Sequence, residues 1–427
     1  MERYFLEPYR FIPPFRSTVW CRLARPVVNR HLRRTLGVVR TQFAGVEHLC
    51  DSLDRGAGIL LTPNHCRWAD PMLMSVLGRQ VRRFFYYVAS YHLFRQSRFE
   101  GWLLNRLGGY SIWREGMDRE AIRTTARLLA DAERPVVLFP EGTWFRQNDR
   151  VGPLQDGLAL ITRQAARQST RPILVHPVGI KYWLLGDPLP EIRRRLDVLE
   201  RRLGWRPQGD TPPVVRVERI GGALLALKEI EYLSQPQPGG LDERIRRLSS
   251  SQVERMEAKH LGRTFDGWLL ERIRRLRQHL SRQLMDKAAT DAPAAAAIKA
   301  DMDVLLFCEN LNAQSLDYLI ASPTPERLAE TVQRIEETVA DQVETPIART
   351  GATVHVGPAV DVRTFDAGGN RRGPDPLVQH LRVAMQDLVD RLVAAGPPAD
   401  WGCLPRPTAS LPPRADTTAP ANGQVIG

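Results

Sequence analysis

Short apolar runs alternate with amphipathic patterns across residues 58–182. Runs that are apolar at consecutive positions predict buried strands at 58–61, 84–88, 110–113, 136–139 and 173–175. Between them, apolar residues at helical spacing predict helices at 70–77, 117–130 and 154–166. Strands apolar on both faces and separated by helices indicate an α/β fold, with a largely parallel sheet covered by helices. Ligands of such sheets bind beyond the carboxyl ends of the strands.

The pattern is mainly helical from residue 186 to about 345 and returns to a strand at 353–362 and a helix at 376–395. One basic amphipathic helix carries an apolar stripe of Leu269, Ile273, Leu276, Leu280 and Leu284. We interpret the stripe as core-facing, with a second membrane-binding face as the alternative. An alanine-rich linker is predicted at 288–297 and a further helix at 327–340. A final stretch dominated by Pro, Ala, Thr and Gly predicts a disordered C-terminal tail.

These patterns divide the chain into five parts. We predict a basic and aromatic membrane-surface segment at 1–40, a core at 41–185 and a long helical insertion at 186–345. A closing strand and C-terminal helix of the core follow at 346–396, and the tail occupies 397–427. A chain of 427 residues is long enough for such a core and a further module.

Charge favours an anionic partner surface. The net charge is +12, with 60 Lys plus Arg against 48 Asp plus Glu, so lipid headgroups or nucleic acid are candidate partners. A compositional bias towards arginine is the alternative. The first 40 residues interleave arginines with Tyr4, Phe5, Tyr9, Phe11, Phe15 and Trp20, a mixture typical of a membrane interface. A helix packed on the domain and an arginine-rich transit peptide are the other interpretations.

The cysteines and the apolar runs limit the compartment and the kind of membrane contact. Five widely spaced cysteines form no C-x-x-C pair, so we expect neither a zinc site nor a disulfide framework, and a reducing cytoplasmic setting fits. Because no stretch reaches the roughly 18 uncharged residues that span a bilayer, we expect a peripheral protein on the inner face of the membrane.

Four stretches with candidate chemistry fall at predicted strand ends. His65 and Asp70 lie in Asn64-His65-Cys66-Arg67-Trp68-Ala69-Asp70, and a carboxylate beside an imidazole makes a suitable base for a hydroxyl proton. Asp70 before Pro71 is also consistent with an ordinary helix N-cap. Arg114, the sequence Phe139-Pro140-Glu141-Gly142-Thr143, and Pro177 follow three other strands. In a parallel sheet these ends share one rim, where the side chains can converge.

These ordered motifs resemble the glycerolipid acyltransferase family, which includes lysophosphatidate and glycerol-phosphate acyltransferases. The resemblance covers residues 43–182 and resumes at 354–362. It implies that His65 and Asp70 are the catalytic pair. Arg114, Glu141 with Gly142 and Thr143, and Pro177 match the second, third and fourth motifs, so the resemblance assigns them to substrate binding.

The resemblance implies transfer of a fatty acyl group from a thioester, acyl-CoA or acyl carrier protein, to a hydroxyl of a lysolipid or glycerol-phosphate-type acceptor. No cofactor and no metal beyond that co-substrate is expected. The family usually places an arginine after the Thr of its third motif to hold the acceptor's phosphate, whereas this chain has Trp144. Arg146 or Arg150 is the candidate substitute.

Two rival functions remain. A non-catalytic lipid-binding or scaffold protein with the same fold would not need His65 and Asp70. Nucleic-acid binding would explain the charge but not the strand-end motifs, so no nucleic acid is expected. The chain lacks G-x-S-x-G, G-x-x-x-x-G-K-[ST] and H-E-x-x-H, which argues against serine hydrolases, P-loop enzymes and zincins. A thiol nucleophile at Cys66 is disfavoured, because adjacent extended residues point opposite ways.

Overall fold

A computed structural model gives the fold, and it describes residues 9–114, 116–142, 147–287, 290–312, 317–340, 345–365 and 375–403. Across this part of the chain the strands form one mixed sheet flanked by helices. The strands are β1 (Val38–Ala44), β2 (Gly58–Pro63), β3 (Tyr86–Ser90), β4 (Gly109–Ile112), β5 (Val136–Val137), β6 (Ile173–Leu184), β7 (Thr350–Val356) and β8 (Val360–Asp361).

The sheet order is β1-β7-β6-β2-β5-β3-β4, with β8 pairing β6 as well. All pairs along this order are parallel except β6 with β7, and β8 is also antiparallel to β6. The predicted α/β class and its largely parallel sheet are therefore confirmed. Every residue of β2 and β6 is buried, as consecutive apolar positions predict for strands covered on both faces.

Helices of the core cover both faces of the sheet. They are α1 (Val19–Leu23), α2 (Arg25–Arg34), α3 (Val46–Asp54), α4 (Asp70–Gln80), α5 (Tyr91–Arg95), α6 (Arg98–Arg106), α7 (Arg119–Asp131) and α8 (Gly157–Gln168). The predicted helices at 70–77, 117–130 and 154–166 correspond to α4, α7 and α8. Helix α7 begins where Asp118 accepts hydrogen bonds from the amides of Glu120 (3.1 Å) and Ala121 (2.9 Å).

The predicted insertion is helical in its described part. It contains α9 (Leu189–Arg202), α10 (Pro213–Leu233), α11 (Leu241–Leu261), α12 (Leu269–Lys287), α13 (Ala292–Asn312), α14 (Asp317–Ile320) and α15 (Pro325–Ala340). Helices α11, α12 and α13 share one apolar core, and α9, α10 and α15 share another that includes Leu184 at the end of β6. The second core joins the insertion to the sheet.

The apolar stripe on α12 faces the core that α11, α12 and α13 share. Ile273, Leu276, Leu280 and Leu284 are buried there, so the core-facing interpretation is confirmed. The alanine-rich linker is wrong for residues 292–297, which begin α13 and bury Ala295. Alanine has the highest helix propensity, and packing against α12 stabilises the segment as a helix.

The C-terminal part of the core returns to the sheet. The single strand predicted at 353–362 is two strands, which both run antiparallel to β6 and are separated by residues 357–359. In that gap Gly357 donates its amide to the carbonyl of Pro177 (2.8 Å). Helix α16 (Pro376–Ala395) follows, as predicted, and packs against β6. In the predicted tail, Ala399–Trp401 forms a 3-10 turn and Trp401 packs on Gly351. The rest of that tail, 404–427, lies outside the described residues.

The N-terminal segment contributes to the core before α1. Ile12 bonds to Ser111 of β4 through its amide and carbonyl, and Tyr9 packs edge-on against Tyr91 with ring centroids 4.9 Å apart. Tyr4 and Phe5 lie outside the described residues. The predicted surface segment therefore contains an ordered part that pairs with the sheet edge, followed by two helices.

Candidate active site

His65 lies in the loop between β2 and α4, at the carboxyl end of β2. Its Nδ1 is 2.9 Å from Oδ2 of Asp70, whose side chain is fully buried, whereas the imidazole is 21% exposed. Because a carboxylate only accepts hydrogen bonds, Nδ1 carries the proton and Nε2 is the basic nitrogen. The pair predicted from the sequence is therefore brought together with the geometry that a general base requires.

Asp70 organises the loop around His65. Its Oδ2 also accepts the backbone amides of Cys66 (2.7 Å) and Arg67 (2.9 Å), and its Oδ1 accepts the hydroxyl of Tyr182 (2.5 Å). Although Asp70 is the first residue of α4, its carboxylate faces back towards the loop, and Ala69 occupies the N-cap position. Asp70 is therefore not an ordinary N-cap of α4, because the amides that it accepts belong to the preceding loop.

Glu141 anchors the same loop from the other side. Its Oε1 accepts the amide of His65 (2.8 Å) and its Oε2 accepts the amide of Gly152 (3.0 Å). The side chain is 1% exposed, and burial raises the pKa of Glu141 to about 8 against the opposing effect of the two amides. Glu141 thus contacts the backbone of the candidate base rather than the open face of the site.

A tight turn follows β5 and carries the third motif. Gly142 donates to the carbonyl of Phe139 (3.2 Å) and has a φ of +68°, a conformation that favours glycine. The ring of Phe139 lies 4.3 Å from the imidazole of His65. Thr143 and Arg146 lie outside the described residues. Arg150 is exposed, with its guanidinium 5.3 Å from the ring centroid of Tyr318.

Arginines of the core and of the insertion lie at this rim. Arg114 is exposed two residues after β4, and its charge and that of Arg277 add to burial in lowering the pKa of His92 to about 4. Arg274, one turn earlier on α12, donates to Oε1 of Gln155 (2.6 Å), and Gln155 donates to the carbonyl of Glu141 (3.4 Å). Helix α12 therefore reaches the turn that holds His65.

Pro177 lies within the sheet rather than at its rim. It pairs in register with Thr62 and is buried in the first half of the twelve-residue strand β6, which continues past the end of β2. The expectation that all four stretches stand at strand ends is wrong for this one. The length of β6 arises because β7 pairs with it beyond Val178, which local sequence does not reveal.

Two asparagines that the sequence patterns did not predict as site residues hold the loops of the site to β6. Asn64 bonds to the amide (2.7 Å) and carbonyl (3.0 Å) of Ile180. Asn148 makes the same pair of bonds to Tyr182, at 2.7 and 2.8 Å. Their side chains bond to backbone groups on the edge of β6 that lies beyond the end of β2 and has no strand partner on that side among the described residues. Asparagine is common in loops, so sequence carried no signal beyond the position of Asn64 next to His65.

The cysteines, the possible metal ligands and the lengths of the helices in the described residues bear on other functions. All five cysteines are free thiols, and burial raises the pKa of Cys66 well above its usual value, which disfavours a thiolate there. Within the described ranges, no cluster of three or more His, Cys, Asp or Glu is arranged to hold a metal ion. None of the helices described is long and apolar enough to cross a membrane.

Comparison with known proteins supports the domain that this geometry describes. The chain matches the family model described as Acyltransferase over residues 43–181, which include β2 through most of β6 and the whole His65 loop. A search of curated proteins finds no match. Residues 43–181 are thus an acyltransferase domain of the glycerolipid acyltransferase family.

Proposed function

We propose that this protein moves a fatty acyl group from a thioester, acyl-CoA or acyl carrier protein, to a hydroxyl of a lysolipid or glycerol-phosphate-type acceptor. The reaction would serve phospholipid synthesis or remodelling at the inner face of the membrane. The observation that carries the proposal is the contact between His65 and the fully buried Asp70 inside the matched acyltransferase domain.

In the proposed reaction, Nε2 of His65 takes the proton of the acceptor hydroxyl as its oxygen attacks the thioester carbonyl carbon. The new ester C–O bond forms, the C–S bond breaks, and the leaving thiolate takes the proton from the imidazolium. Asp70 stabilises the charged imidazolium and fixes the ring through Nδ1. General-base catalysis of this kind is typically worth ~10²- to 10⁴-fold in rate. No acyl-enzyme intermediate is needed.

The arginines at the carboxyl edge of the sheet support an acceptor that carries a phosphate. Arg114 is exposed beyond β4, and Arg274 and Arg277 of α12 lie at the same rim and are partly exposed. Guanidinium groups recognise phosphate through charge-assisted hydrogen bonds. Arg146 is a further candidate on sequence grounds. On this proposal, Glu141, Gly142 and Pro177 maintain the shape of the pocket instead of binding the headgroup directly.

An aromatic patch on α1 and α6 is our candidate for contact with an anionic bilayer. We define this α1/α6 patch by four exposed residues, Trp20, Leu23, Phe99 and Trp102, with the two tryptophan rings 4.9 Å apart. Exposed arginines of α2 lie beside it in the chain. Aromatic rings at the headgroup level with neighbouring guanidinium groups are typical of peripheral membrane binding.

The catalytic proposal is tested by His65→Ala and Asp70→Asn in a transfer assay with acyl-CoA, acyl carrier protein thioesters and a panel of lysolipids. We expect both variants to lose at least 100-fold in kcat/KM. The matched control is His260→Ala, because His260 also contacts an aspartate, Asp301, at 2.8 Å, but in the insertion. Transfer by His65→Ala at the wild-type rate would refute the mechanism. Absence of transfer by the wild type with every donor and acceptor would favour a lipid-binding scaffold.

The acceptor proposal is tested by Arg114→Ala and Arg277→Ala with paired acceptors that carry or lack a phosphate. We expect KM to rise about tenfold or more for the phosphate-bearing acceptor only, because only that acceptor loses charge-assisted bonds. Equal effects on both acceptors would contradict a phosphate site.

The membrane proposal is tested by the double variant Trp20→Ser with Trp102→Ser. This variant should float less with anionic vesicles than the wild type, and unchanged flotation would exclude the α1/α6 patch.

A further inference from the structure

Tyr182, near the carboxyl end of β6, contacts Asp70. Its hydroxyl donates to Oδ1 of Asp70 at 2.5 Å, and both side chains are fully buried. Burial, followed by the charge of Asp70, raises the pKa of Tyr182 well above its usual value, so the phenol stays protonated and acts as the donor. With Oδ1 held by Tyr182, Oδ2 is the oxygen that faces His65.

Arg67 connects this tyrosine to the helical insertion. Its guanidinium carbon lies 4.8 Å from the ring centroid of Tyr182, and its Nη2 is 3.4 Å from Oε1 of Glu330. Glu330 is on α15, which packs directly against β6. Burial lowers the pKa of Arg67 and the charge of Glu330 raises it, with a net rise, so Arg67 remains charged over the ring.

Further contacts fix Glu330 in this position. Its Oε2 accepts the hydroxyl of Tyr318 (3.0 Å), and its side chain is only 10% exposed. Next to it, Oδ2 of Asp149 accepts Nε of Arg327 (3.0 Å) and lies 3.9 Å from the buried ammonium of Lys181. Cations and carboxylates therefore alternate from the insertion to the sheet, and removal of one partner would leave a buried charge uncompensated.

We propose that Tyr182, Arg67 and Glu330 are positioning residues for the His65–Asp70 pair, so that the helical insertion helps to build the catalytic base. This inference rests on the proposed function. A hydrogen bond to a charged group is stronger than one between neutral groups, and the contact matters most when the imidazolium forms in the transition state. None of the three residues needs to touch substrate. Their loss should therefore lower kcat and leave KM nearly constant.

The test compares Tyr182→Phe and Glu330→Gln with Glu336→Gln, measured as kcat and KM with the best donor and acceptor. Glu336 is the matched control. It is also a buried carboxylate on α15, but its ion pair at 2.8 Å is with Arg195 of α9. We expect kcat to fall about tenfold in Tyr182→Phe and about three- to tenfold in Glu330→Gln, with KM within twofold. Glu336→Gln should keep its kcat, even if its melting temperature falls.

Two further variants separate a positioning role from a merely structural one. Glu330→Asp keeps the charge and should recover part of the lost kcat. The double variant Tyr182→Phe with Glu330→Gln should lose less than the product of the two single losses, because both act on one chain of contacts. If Glu330→Gln does not fold, Tyr182→Phe, which removes one oxygen atom, still decides the question.

The outcomes distinguish this inference from the proposed function. Wild-type kcat in Tyr182→Phe, together with an inactive His65→Ala, would overturn the inference and leave the proposed function standing. An active His65→Ala would overturn the proposed function. An equal loss of kcat in Glu336→Gln and Glu330→Gln would also overturn the inference, because it would reduce the role of α15 to general stability.

Discussion

Replacement of Glu141 by Gln should reverse the order of stability between variant and wild type as pH changes. Glutamine can accept one of the two amides that Glu141 holds, from His65 (2.8 Å) and Gly152 (3.0 Å), but its NH₂ group faces the other amide. Such an unsatisfied buried amide costs about 1–3 kcal/mol. A protonated Glu141 keeps acceptor capacity on both oxygens. At pH 5 the variant should therefore be the less stable protein.

The pKa of Glu141 determines the sign of the change at higher pH. Because that pKa is about 8 in the folded protein against an ordinary 4.5, the folded form keeps a proton that the unfolded form has lost between these values. The contribution of Glu141 to the stability of the wild type is full below pH 4.5 and falls as pH rises towards 8, by about 1.4 kcal/mol per pH unit and about 5 kcal/mol in all. The neutral glutamine of the variant has no such dependence, so the variant should equal or exceed the wild type at pH 8.

The assay is urea denaturation at pH 5, 6.5 and 8, followed by tryptophan fluorescence. Glu229→Gln is the control, because the pKa of Glu229 is lowered: burial raises it, but the paired Arg244 and the amide of Gln237 outweigh burial. Its carboxylate is charged in both states above pH 5, so its stability difference should stay constant across the series. A constant difference between the wild type and Glu141→Gln as well would refute the raised pKa.

Three further predictions concern the core and the loop around His65. Asn64→Ala should lower the free energy of unfolding by about 3 kcal/mol in urea denaturation, because two backbone groups of β6 lose their buried partners. Gly58→Ala should lower the melting temperature by several degrees, since a Cβ there would stand 2.1 Å from a backbone carbonyl oxygen of α7, whereas Gly157→Ala, with nothing within 4 Å, should leave it equal or higher. Cys66→Ala should keep kcat within about threefold, and loss of transfer with an intact fold would revive the thiol nucleophile.

The motif residues of one loop were predictable because their contacts are local. His65 and Asp70 are five residues apart across a strand-to-helix turn, so a short loop suffices to bring Nδ1 and Oδ2 to 2.9 Å. Glu141 was also predicted at this edge of the sheet, but its contacts with the amides of His65 and Gly152 were not. Whether a carboxylate after a strand faces substrate or the backbone of a neighbouring loop depends on the packing of that loop, which the sequence does not show.

Other residues of the site depend on contacts between distant parts of the chain. Tyr182 reaches Asp70 because β6 extends past β2 and pairs with β7, which is more than a hundred residues away in sequence. Glu330 reaches Arg67 because the last insertion helix packs on β6. No pattern around either residue distinguishes it from an ordinary core tyrosine or a solvated helix glutamate.

The sequence by itself determined the α/β class, the alternation of strands and helices across residues 58–182, and the loop with its His and Asp. Apolar periodicity and short motifs depend on neighbouring residues, so they are legible without a fold. Only the tertiary structure decided that α12 brings Arg274 to the third-motif turn, that Pro177 lies within the sheet, and that α15 places Glu330 beside Arg67. Those outcomes depend on which apolar faces pack together, and many arrangements of the same helices satisfy the same periodicity.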